Sequence, residues 1–285
     1  MRGRNTSDTS DEVASSEGAG QSSGPRRNTD YVQSLERGLS VLRSFDPEHP
    51  RLTLTEVAGR TGLTRAAARR FLLTLVDLGY VSTDGRTFAL RPTVLELGYP
   101  YLSTLSVPNV AMPFLNDLVT RVSASAFLSV LDDGNVFYVA QVIAKRMLAV
   151  TVPVGTRVPA YATAMGQVLL AALPAYERRA YLERTSFEPL TPATPADRRA
   201  MGAVLDGIYR DGYAVEVGSY EDGLHAVAVP VTDGHGTVVA ALGVATQSTN
   251  PTPESLRDEF LPALLECTDQ ISSELGRLNM PASRG

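Results

Sequence analysis

The chain has 285 residues, of which 44% are hydrophobic and 20% charged, and its formal net charge is −5. Such a composition is ordinary for a globular protein of about two domains and excludes a wholly disordered chain. A single cysteine, Cys267, excludes an internal disulfide, and no apolar run is long enough to span a membrane. We therefore expect a cytoplasmic protein with no membrane partner.

The two ends of the chain, 1–29 and 280–285, are predicted to be disordered tails. The first is rich in Ser, Gly, Thr and acidic residues and has almost no large apolar side chains. It cannot bury enough surface to offset the entropy of an ordered chain, and it lacks the apolar segment of a signal peptide.

A first domain is predicted over residues 30–92, and it begins with a helix over 31–45. Leu35, Leu39 and Leu42 share one face of this helix, with Val41 and Phe45 close beside it, and this apolar face is expected to be the buried side. Leu52-Thr53 is expected to add a short strand before the next helix.

The segment 54–80 has the pattern of a helix-turn-helix. A short helix over 54–60 is followed by a break at Thr61-Gly62, and Thr64 is a suitable N-cap for a second helix. The second helix carries one apolar stripe with helical spacing, formed by Ala68, Phe71, Leu72 and Leu75. Gly79 is placed to end it in a left-handed conformation.

A two-stranded wing is predicted directly after these helices, because Asp84-Gly85 separates two short runs that suit a β-hairpin. A winged helix-turn-helix presents its second helix to the DNA major groove and its wing to the backbone. The expected DNA contacts are Thr64, Arg65, Ala66, Arg69, Arg70 and Arg86. The alternative is a surface helical hairpin whose arginines are only solvated.

The distribution of charge favours DNA binding by this domain alone. Residues 31–92 hold nine arginines and six acidic residues, a net charge of +3, and residues 1–30 hold four arginines and five acidic residues, a net charge of −1. The remainder, 93–285, therefore carries −7. A local positive charge is what phosphate contacts require.

A linker helix is predicted over 93–106. It would be amphipathic and unstable alone, so we expect it to pack against a second copy of the chain, and Pro108 is expected to end it.

The second domain is predicted over 107–279 and mixes helices with short strands. Expected helices cover 111–122, 162–172, 197–211 and 253–278, and expected strands cover 127–131, 136–143, 147–152, 213–219, 224–231 and 237–245. Hairpins flanked by helices indicate an α+β domain on an antiparallel sheet.

No catalytic constellation or metal-ligand spacing is found, and no cofactor is expected. His225 is expected on a strand in a structural or ligand-contacting role, and Cys267 as a small core residue. The segment 155–166 is a better candidate, because small residues and a helix N-terminus adjoin Arg157 and suit a carboxylate, with Arg157 or Arg146 adding a charge. The alternative is that Ala164 and Gly166 are small only because the helix packs closely on the sheet.

Several motifs together resemble the IclR family of bacterial transcription regulators over about residues 31–278. The markers are Ser34-Leu35-Glu36-Arg37-Gly38-Leu39, Leu63-Thr64 with Arg70 and Leu72, Leu78-Gly79-Tyr80-Val81, Val154-Gly155-Thr156-Arg157-Val158-Pro159, and Glu221-Asp222-Gly223-Leu224 followed by Ala228-Val229-Pro230-Val231. Residues 64–75 and 159–163 are most similar to the PcaR/PcaU/PobR branch, which controls breakdown of aromatic acids through protocatechuate and β-ketoadipate.

The resemblance implies a GAF-like effector domain and a ligand-responsive regulator, active as a homodimer or tetramer on a double-stranded, near-palindromic DNA operator. Its effector would be a small organic acid, either aromatic or dicarboxylic. By motif position the effector contacts would be Met147, Val150, Ala164, Met165, Glu216, Leu224, Ala226, Gly243 and Ala245, with Arg157 added from its place beside the helix start. The alternatives are a regulator of another small-carboxylate pathway, or a small-molecule sensor or enzyme without DNA affinity.

Overall fold

The structure, a computed structural model, describes residues 30–100, 106–145, 149–247 and 252–279. Its contacts divide the chain into two compact units between Leu97 and Gly98. The predicted tails, Arg146 and Met147 lie outside the described residues. Within the described part of the chain, no helix is both long and apolar enough to cross a membrane.

The first unit contains three helices and a small sheet among its described residues. Helix α1 covers Gln33–Arg43, α2 Leu54–Thr61 and α3 Arg65–Asp77, and strands β1, β2 and β3 cover Leu52–Thr53, Val81–Thr83 and Thr87–Leu90. The strand order is β1-β3-β2, with both pairs antiparallel. This is the predicted winged helix-turn-helix, including the short strand that pairs with the wing.

The buried face of α1 differs from the predicted one. Leu35 is 63% exposed and Leu39 39% exposed, whereas Val41 is fully buried and Phe45 8% exposed. A Cβ at Gly38 would lie 3.9 Å from a ring carbon of Phe71, so α1 meets α3 through the face that contains Gly38 and Val41. The expectation for Leu35 and Leu39 was wrong because two apolar stripes overlap on this helix, and contact with α3 selects one of them.

The turn between α2 and α3 forms as its residues predict. Thr53 caps α2 in a capping box with Glu56, and Gly62 ends α2 at a φ of +65°, a left-handed conformation that glycine adopts without strain. Thr64 caps α3 by accepting a hydrogen bond from the Ala67 amide at 3.2 Å. Ala68, Leu72 and Leu75 of the predicted stripe are buried.

The predicted linker helix is only partly visible. Residues Pro92–Leu97 form a 3-10 helix, residues 99 and 100 are helical, and 101–105 lie outside the described residues. Helix α4 covers Ser106–Val122. Pro108 therefore lies in the first turn of α4 and does not end a helix, because a proline there removes no helical hydrogen bond.

The second unit is built on a six-stranded sheet. Strands β4, β5 and β6 cover Ser125–Asp132, Asn135–Val142 and Arg157–Pro159, and strands β7, β8 and β9 cover Ala214–Val217, Leu224–Thr232 and Val238–Gln247. The order is β6-β5-β4-β9-β8-β7, and every neighbouring pair is antiparallel. Asp133 and Gly134 both have positive φ, which gives the β4–β5 hairpin a turn that matches strand twist.

Helices cover both faces of this sheet. Helix α4 and the long C-terminal helix α8, Pro253–Asn279, pack on one face. On the other face lie α5, Ala164–Ala171, and α7, Arg198–Asp211, with α6, Ala175–Arg184, against α7. The result is the predicted α+β arrangement.

No strand forms over the described part of the predicted strand 147–152. Residues 149–152 are irregular, and the edge of β5 is taken instead by the segment around Gly155 and Arg157–Pro159. The Gly155 amide donates to the Tyr138 carbonyl at 2.8 Å, and the Tyr138 amide donates to the Thr156 carbonyl at 3.1 Å. Since one strand edge accommodates one neighbour, residues 149–152 are free to form the wall of a cavity.

Candidate functional sites

The first two turns of α3 present the predicted DNA contacts to solvent. These exposed residues are Thr64, Arg65, Ala66, Arg69 and Arg70. The buried stripe on the opposite side fixes α3 against the core of the first unit. The Thr64 hydroxyl accepts from the helix backbone and keeps its own proton available for an acceptor outside the protein.

Ion pairing distinguishes two arginines of this unit from the arginines predicted to contact DNA. Arg60 pairs with Asp46, and Arg51 lies 3.4 Å from Asp84, so both have structural partners. Among the described residues, no carboxylate pairs with the arginines at 65, 69, 70 and 86. These four side chains therefore keep their full donor capacity for an external anion.

The wing tip is held by one carboxylate. Asp84 Oδ1 accepts from the Arg86 amide at 2.9 Å and the Thr87 amide at 2.7 Å, and Gly85 has a φ of +88°. The Thr87 amide in particular holds the pKa of Asp84 well below its usual range. The turn is thus fixed locally and leaves the Arg86 side chain exposed.

A cavity of about 460 Å³ lies within the second unit, on the sheet face that carries α5. Its walls come from the start of α5, from the irregular segment 149–153, and from strands β4, β5, β8 and β9. Phe127 and Tyr138 meet edge to face in this wall, with ring centres 5.7 Å apart.

Small side chains on neighbouring strands create the floor of the cavity. Glu216 of β7 pairs with Ala226 of β8, which in turn pairs with Ala245 of β9. Two residues before Ala245 on β9, Gly243 pairs with Phe127 of β4. A Cβ at Gly243 would lie 2.8 Å from Met165 Cγ, so the missing side chain makes room for Met165 at the cavity wall.

Glu216 is the buried charged group of this cavity. It is 4% exposed, and its Oε1 accepts a hydrogen bond from the Ser219 amide. Burial raises the pKa of Glu216 to about 7, although hydrogen bonds from Ser219 and Tyr220 oppose the increase. Burial also raises the pKa of Tyr138, and the nearby Tyr220 and Glu216 add to that effect. These three side chains form a polar region in an otherwise largely apolar wall.

Most of the predicted effector contacts meet at this one cavity. Those that line it are Val150, Ala164, Met165, Glu216, Leu224, Ala226, Gly243 and Ala245. Met147 and Arg146 lie outside the described residues. Arg157, which was also predicted to contact the effector, does not line this cavity. Its guanidinium lies 5.8 Å from the centre of the Phe137 ring, on the face that packs towards α4 and α8. Strand alternation places Arg157 there, because its neighbour Val158 faces the cavity.

Gly166 and Ala164, in the segment 155–166, are small for two different reasons. A Cβ at Gly166 would lie 2.2 Å from the Ala160 carbonyl oxygen, so Gly166 is required by close packing. Ala164 and Met165 instead line the cavity at the start of α5, where Thr163 caps the helix by accepting from the Gly166 amide at 3.1 Å. Close packing therefore explains Gly166, whereas Ala164 belongs to the cavity wall.

The structure also locates the groups considered for chemistry. His225 is buried on β8, and Cys267 is buried in α8, where burial raises its thiol pKa to about 11 and suppresses the reactive thiolate. No cluster of His, Cys, Asp and Glu with metal-binding geometry occurs among the described residues.

Three aromatic residues of the cavity were missed by sequence reasoning: Phe127, Tyr138 and Tyr220. Alternation along the β4–β5 hairpin puts Phe127 and Tyr138 on one face, but both faces of this sheet are covered by helices. The alternation therefore could not indicate which face holds a cavity. Tyr220 follows the Gly218 turn after β7, and only its proximity to Glu216 in sequence pointed towards the site.

Comparison with known proteins assigns both units. Residues 34–85 match the IclR helix-turn-helix domain, and residues 99–273 match the family described as bacterial transcriptional regulator IclR C-terminal. The chain belongs to the IclR family. This IclR-family chain is therefore a helix-turn-helix transcriptional regulator that binds DNA, and its second unit is the ligand-binding domain of the family.

Relatives of this IclR-family regulator match over most of their length. The chain is 36% identical to a Pca regulon regulatory protein of Pseudomonas putida, over 86% of this chain and 85% of the relative. It is also 36% identical to a p-hydroxybenzoate hydroxylase transcriptional activator of Acinetobacter baylyi, over 86% and 92% of the two chains.

Solved structures share the fold of this IclR-family chain. A putative transcriptional regulator from Rhodococcus sp. RHA1 is 45% identical and superposes with a TM-score of 0.76, over 87% of this chain and all of that one. An IclR homologue from Microbacterium hydrocarbonoxydans, solved in complex with 4-hydroxybenzoate, has a TM-score of 0.73 at 24% identity, over 85% and 98% of the two chains.

Proposed function

We propose that this regulator controls genes for the breakdown of an aromatic acid and responds to that acid, or to a product of it, bound in the cavity of the second unit. The observation that carries the proposal is the cavity of about 460 Å³ with its mainly apolar wall. Relatives named for the Pca regulon and for p-hydroxybenzoate hydroxylase support the pathway class.

The size and walls of the cavity suit a single aromatic ring. Ligand pockets are commonly about 300–1,000 Å³ with apolar walls and a few polar groups that fix orientation. Val150 and Val152 add apolar surface to the wall, and Phe127 and Tyr138 offer an aromatic surface for a ring. A ring carboxylate has a suitable partner at the start of α5, because the amides of Ala164 and Met165 lie in the first turn, where backbone N–H groups have no partner within the helix.

For the DNA complex, we infer that α3 enters the major groove and that the wing contacts the backbone. Arg65, Arg69 and Arg70 would bind guanine edges or phosphates, and Thr64 and Arg86 would bind phosphates. Ala66 would allow close approach of the helix to the bases. Exposure and the lack of described acidic partners at the four arginines support this assignment.

We further infer that the chain acts as a homodimer or as a tetramer of two dimers, on a near-palindromic operator in the cytoplasm. Leu35 and Leu39 support self-association, since an exposed apolar helix face commonly marks a protein interface. Multi-angle light scattering that gives a monomer at micromolar concentration would contradict this assignment. Effector binding would then alter DNA affinity only as far as the effector prefers one arrangement of the assembly.

The effector proposal is tested by calorimetry and thermal shift with benzoate, 4-hydroxybenzoate, 3,4-dihydroxybenzoate and adipate. An aromatic acid that binds is expected to raise the melting temperature and to change the affinity for DNA selected from a random pool. The proposal fails if no aromatic acid binds, or if binding leaves DNA affinity unchanged.

The DNA assignment is tested by gel shift with the same selected DNA. Arg70→Ala is expected to weaken specific binding by about tenfold or more, because a bidentate base contact contributes about 1–3 kcal/mol of discrimination. The control is Arg198→Ala, which removes an exposed arginine of the second unit. Equal binding by wild type and Arg70→Ala at physiological salt would show that Arg70 does not contact the operator.

A further inference from the structure

Glu216 presents a buried carboxylate to the cavity. Its residual exposure is 4%, and it belongs to the cavity wall. Among the described residues that line the cavity there is no Lys, Arg or His. Glu216 instead accepts hydrogen bonds from neutral donors of the adjacent loop, including the Ser219 amide at Oε1.

The loop after β7 keeps this carboxylate in position. Gly218 has a φ of +71°, which turns the chain so that the Ser219 amide points back at Glu216. Thr191 and Thr194 then fix the loop from outside, since their hydroxyls donate to the Gly218 carbonyl and the Ser219 carbonyl, each at 2.7 Å. These hydrogen bonds therefore hold the Glu216 carboxylate in one orientation in the cavity wall.

Glu216 can accept more hydrogen bonds than the donors of the loop provide. Above its pKa of about 7 the Glu216 side chain is mainly ionised, and an ionised carboxylate offers about four acceptor positions and no donor. The donors of Ser219 and Tyr220 use part of this capacity, and the cavity side stays available to a ligand. A second carboxylate placed there would be repelled, whereas a hydroxyl would donate a charge-assisted hydrogen bond.

We propose that Glu216 determines effector specificity by accepting a hydrogen bond from a ring hydroxyl, so that the effector is a hydroxylated aromatic acid. This inference rests on the proposed function, because it assumes that the cavity binds an aromatic acid. It narrows that function in two ways. Non-hydroxylated aromatic acids lose the Glu216 contact, and dicarboxylic acids bring a second negative charge to the polar region of the wall.

The first test uses the wild-type protein and matched ligands. Calorimetry compares benzoate, 3-hydroxybenzoate, 4-hydroxybenzoate and 3,4-dihydroxybenzoate, together with the methoxy counterpart of the tightest binder, which is nearly the same shape but cannot donate. At least one hydroxylated acid is expected to bind about tenfold or more tightly than benzoate, and its methoxy counterpart is expected to lose that gain, because hydrogen bonds to charged groups are among the stronger ones.

The second test uses Glu216→Gln with Glu183→Gln as its control. Gln keeps the size of the side chain and an oxygen for the Ser219 amide but removes the charge, so the preference for the hydroxylated acid over benzoate is expected to fall to within about threefold. Glu183 is exposed on α6 and absent from the cavity wall, so its variant is expected to retain the wild-type preference.

The outcomes separate this inference from the function on which it rests. If no aromatic acid binds, both are overturned. If aromatic acids bind but wild type does not prefer a hydroxyl, or if Glu216→Gln keeps the full preference, the specificity role is overturned and the proposed function stands. Tighter binding of adipate than of any hydroxybenzoate would overturn the specificity role as well.

Discussion

The buried charge of Glu216 should make the second unit lose stability as pH rises. The folded protein raises the pKa of Glu216 from 4.5 to about 7, chiefly by burial. The folded state therefore holds this proton more tightly than the unfolded chain, and the free energy of unfolding falls as pH rises through that range. At about 1.4 kcal/mol per pKa unit, the charged side chain costs about 3 kcal/mol at pH 8.

Glu216→Gln removes this cost while the side-chain oxygen still accepts from Ser219. The variant should be more stable than wild type by under ~1 kcal/mol at pH 5 and by about 3 kcal/mol at pH 8. For a unit of this size that corresponds to a rise in Tm of about 6–12 °C at pH 8.

Differential scanning calorimetry of both proteins across pH 5–8 measures the difference directly. Glu221→Gln is the control, because Glu221 lines the same cavity but is exposed, and its variant should stay within about 0.5 kcal/mol of wild type. A Tm difference for Glu216→Gln that does not grow between pH 5 and pH 8 would refute the burial argument.

Three further predictions concern packing, the cavity floor and the wing. Gly166→Ala should destabilise the second unit by about 1–3 kcal/mol in urea unfolding, because its Cβ would lie 2.2 Å from the Ala160 carbonyl oxygen. The control is Gly202→Ala, where the nearest atom is 3.9 Å away, and this variant should be neutral or slightly stabilising. Equal effects of the two substitutions on stability would contradict the packing argument. Ala226→Leu fills the cavity floor and should weaken effector binding at least about tenfold by calorimetry while basal DNA affinity is retained; unchanged effector affinity would place the ligand elsewhere. Arg86→Ala should weaken binding to all DNA sequences about equally and reduce the salt dependence of binding by about one phosphate contact, and an unchanged salt slope would exclude Arg86 from the interface.

Local sequence signals were sufficient where a residue acts on its own backbone neighbours. Thr64 caps α3, Gly79 adopts a φ of +82°, and Asp84-Gly85 closes the wing, all as their side chains or lack of side chain predict. Such features depend on a few adjacent residues, so the winged helix-turn-helix could be predicted from the sequence. The hairpins and the α+β class followed from periodicity for the same reason.

Choices between two equivalent faces were decided only by tertiary contacts. Helix α1 has overlapping apolar stripes, and contact with α3 buried Val41 where Leu35 was expected. The sheet of the second unit is covered on both faces, so alternation could not assign Arg157 or Phe127 to a side. The predicted strand 147–152 failed in its described part because Gly155 and the following residues occupy the edge of β5.

The cavity itself shows the same division. Family resemblance placed eight predicted effector contacts at what the structure shows to be one cavity, and three of them, Ala226, Gly243 and Ala245, are small residues of the last two strands. Strand register then aligned Glu216, Ala226 and Ala245 in a single row, and the loop fixed by Thr191 and Thr194 buried the carboxylate. Residue type alone determined that Glu216 is an acid. Its burial, its raised pKa and its direction into the cavity depend on segments far apart in the chain, and only the tertiary structure brings them together.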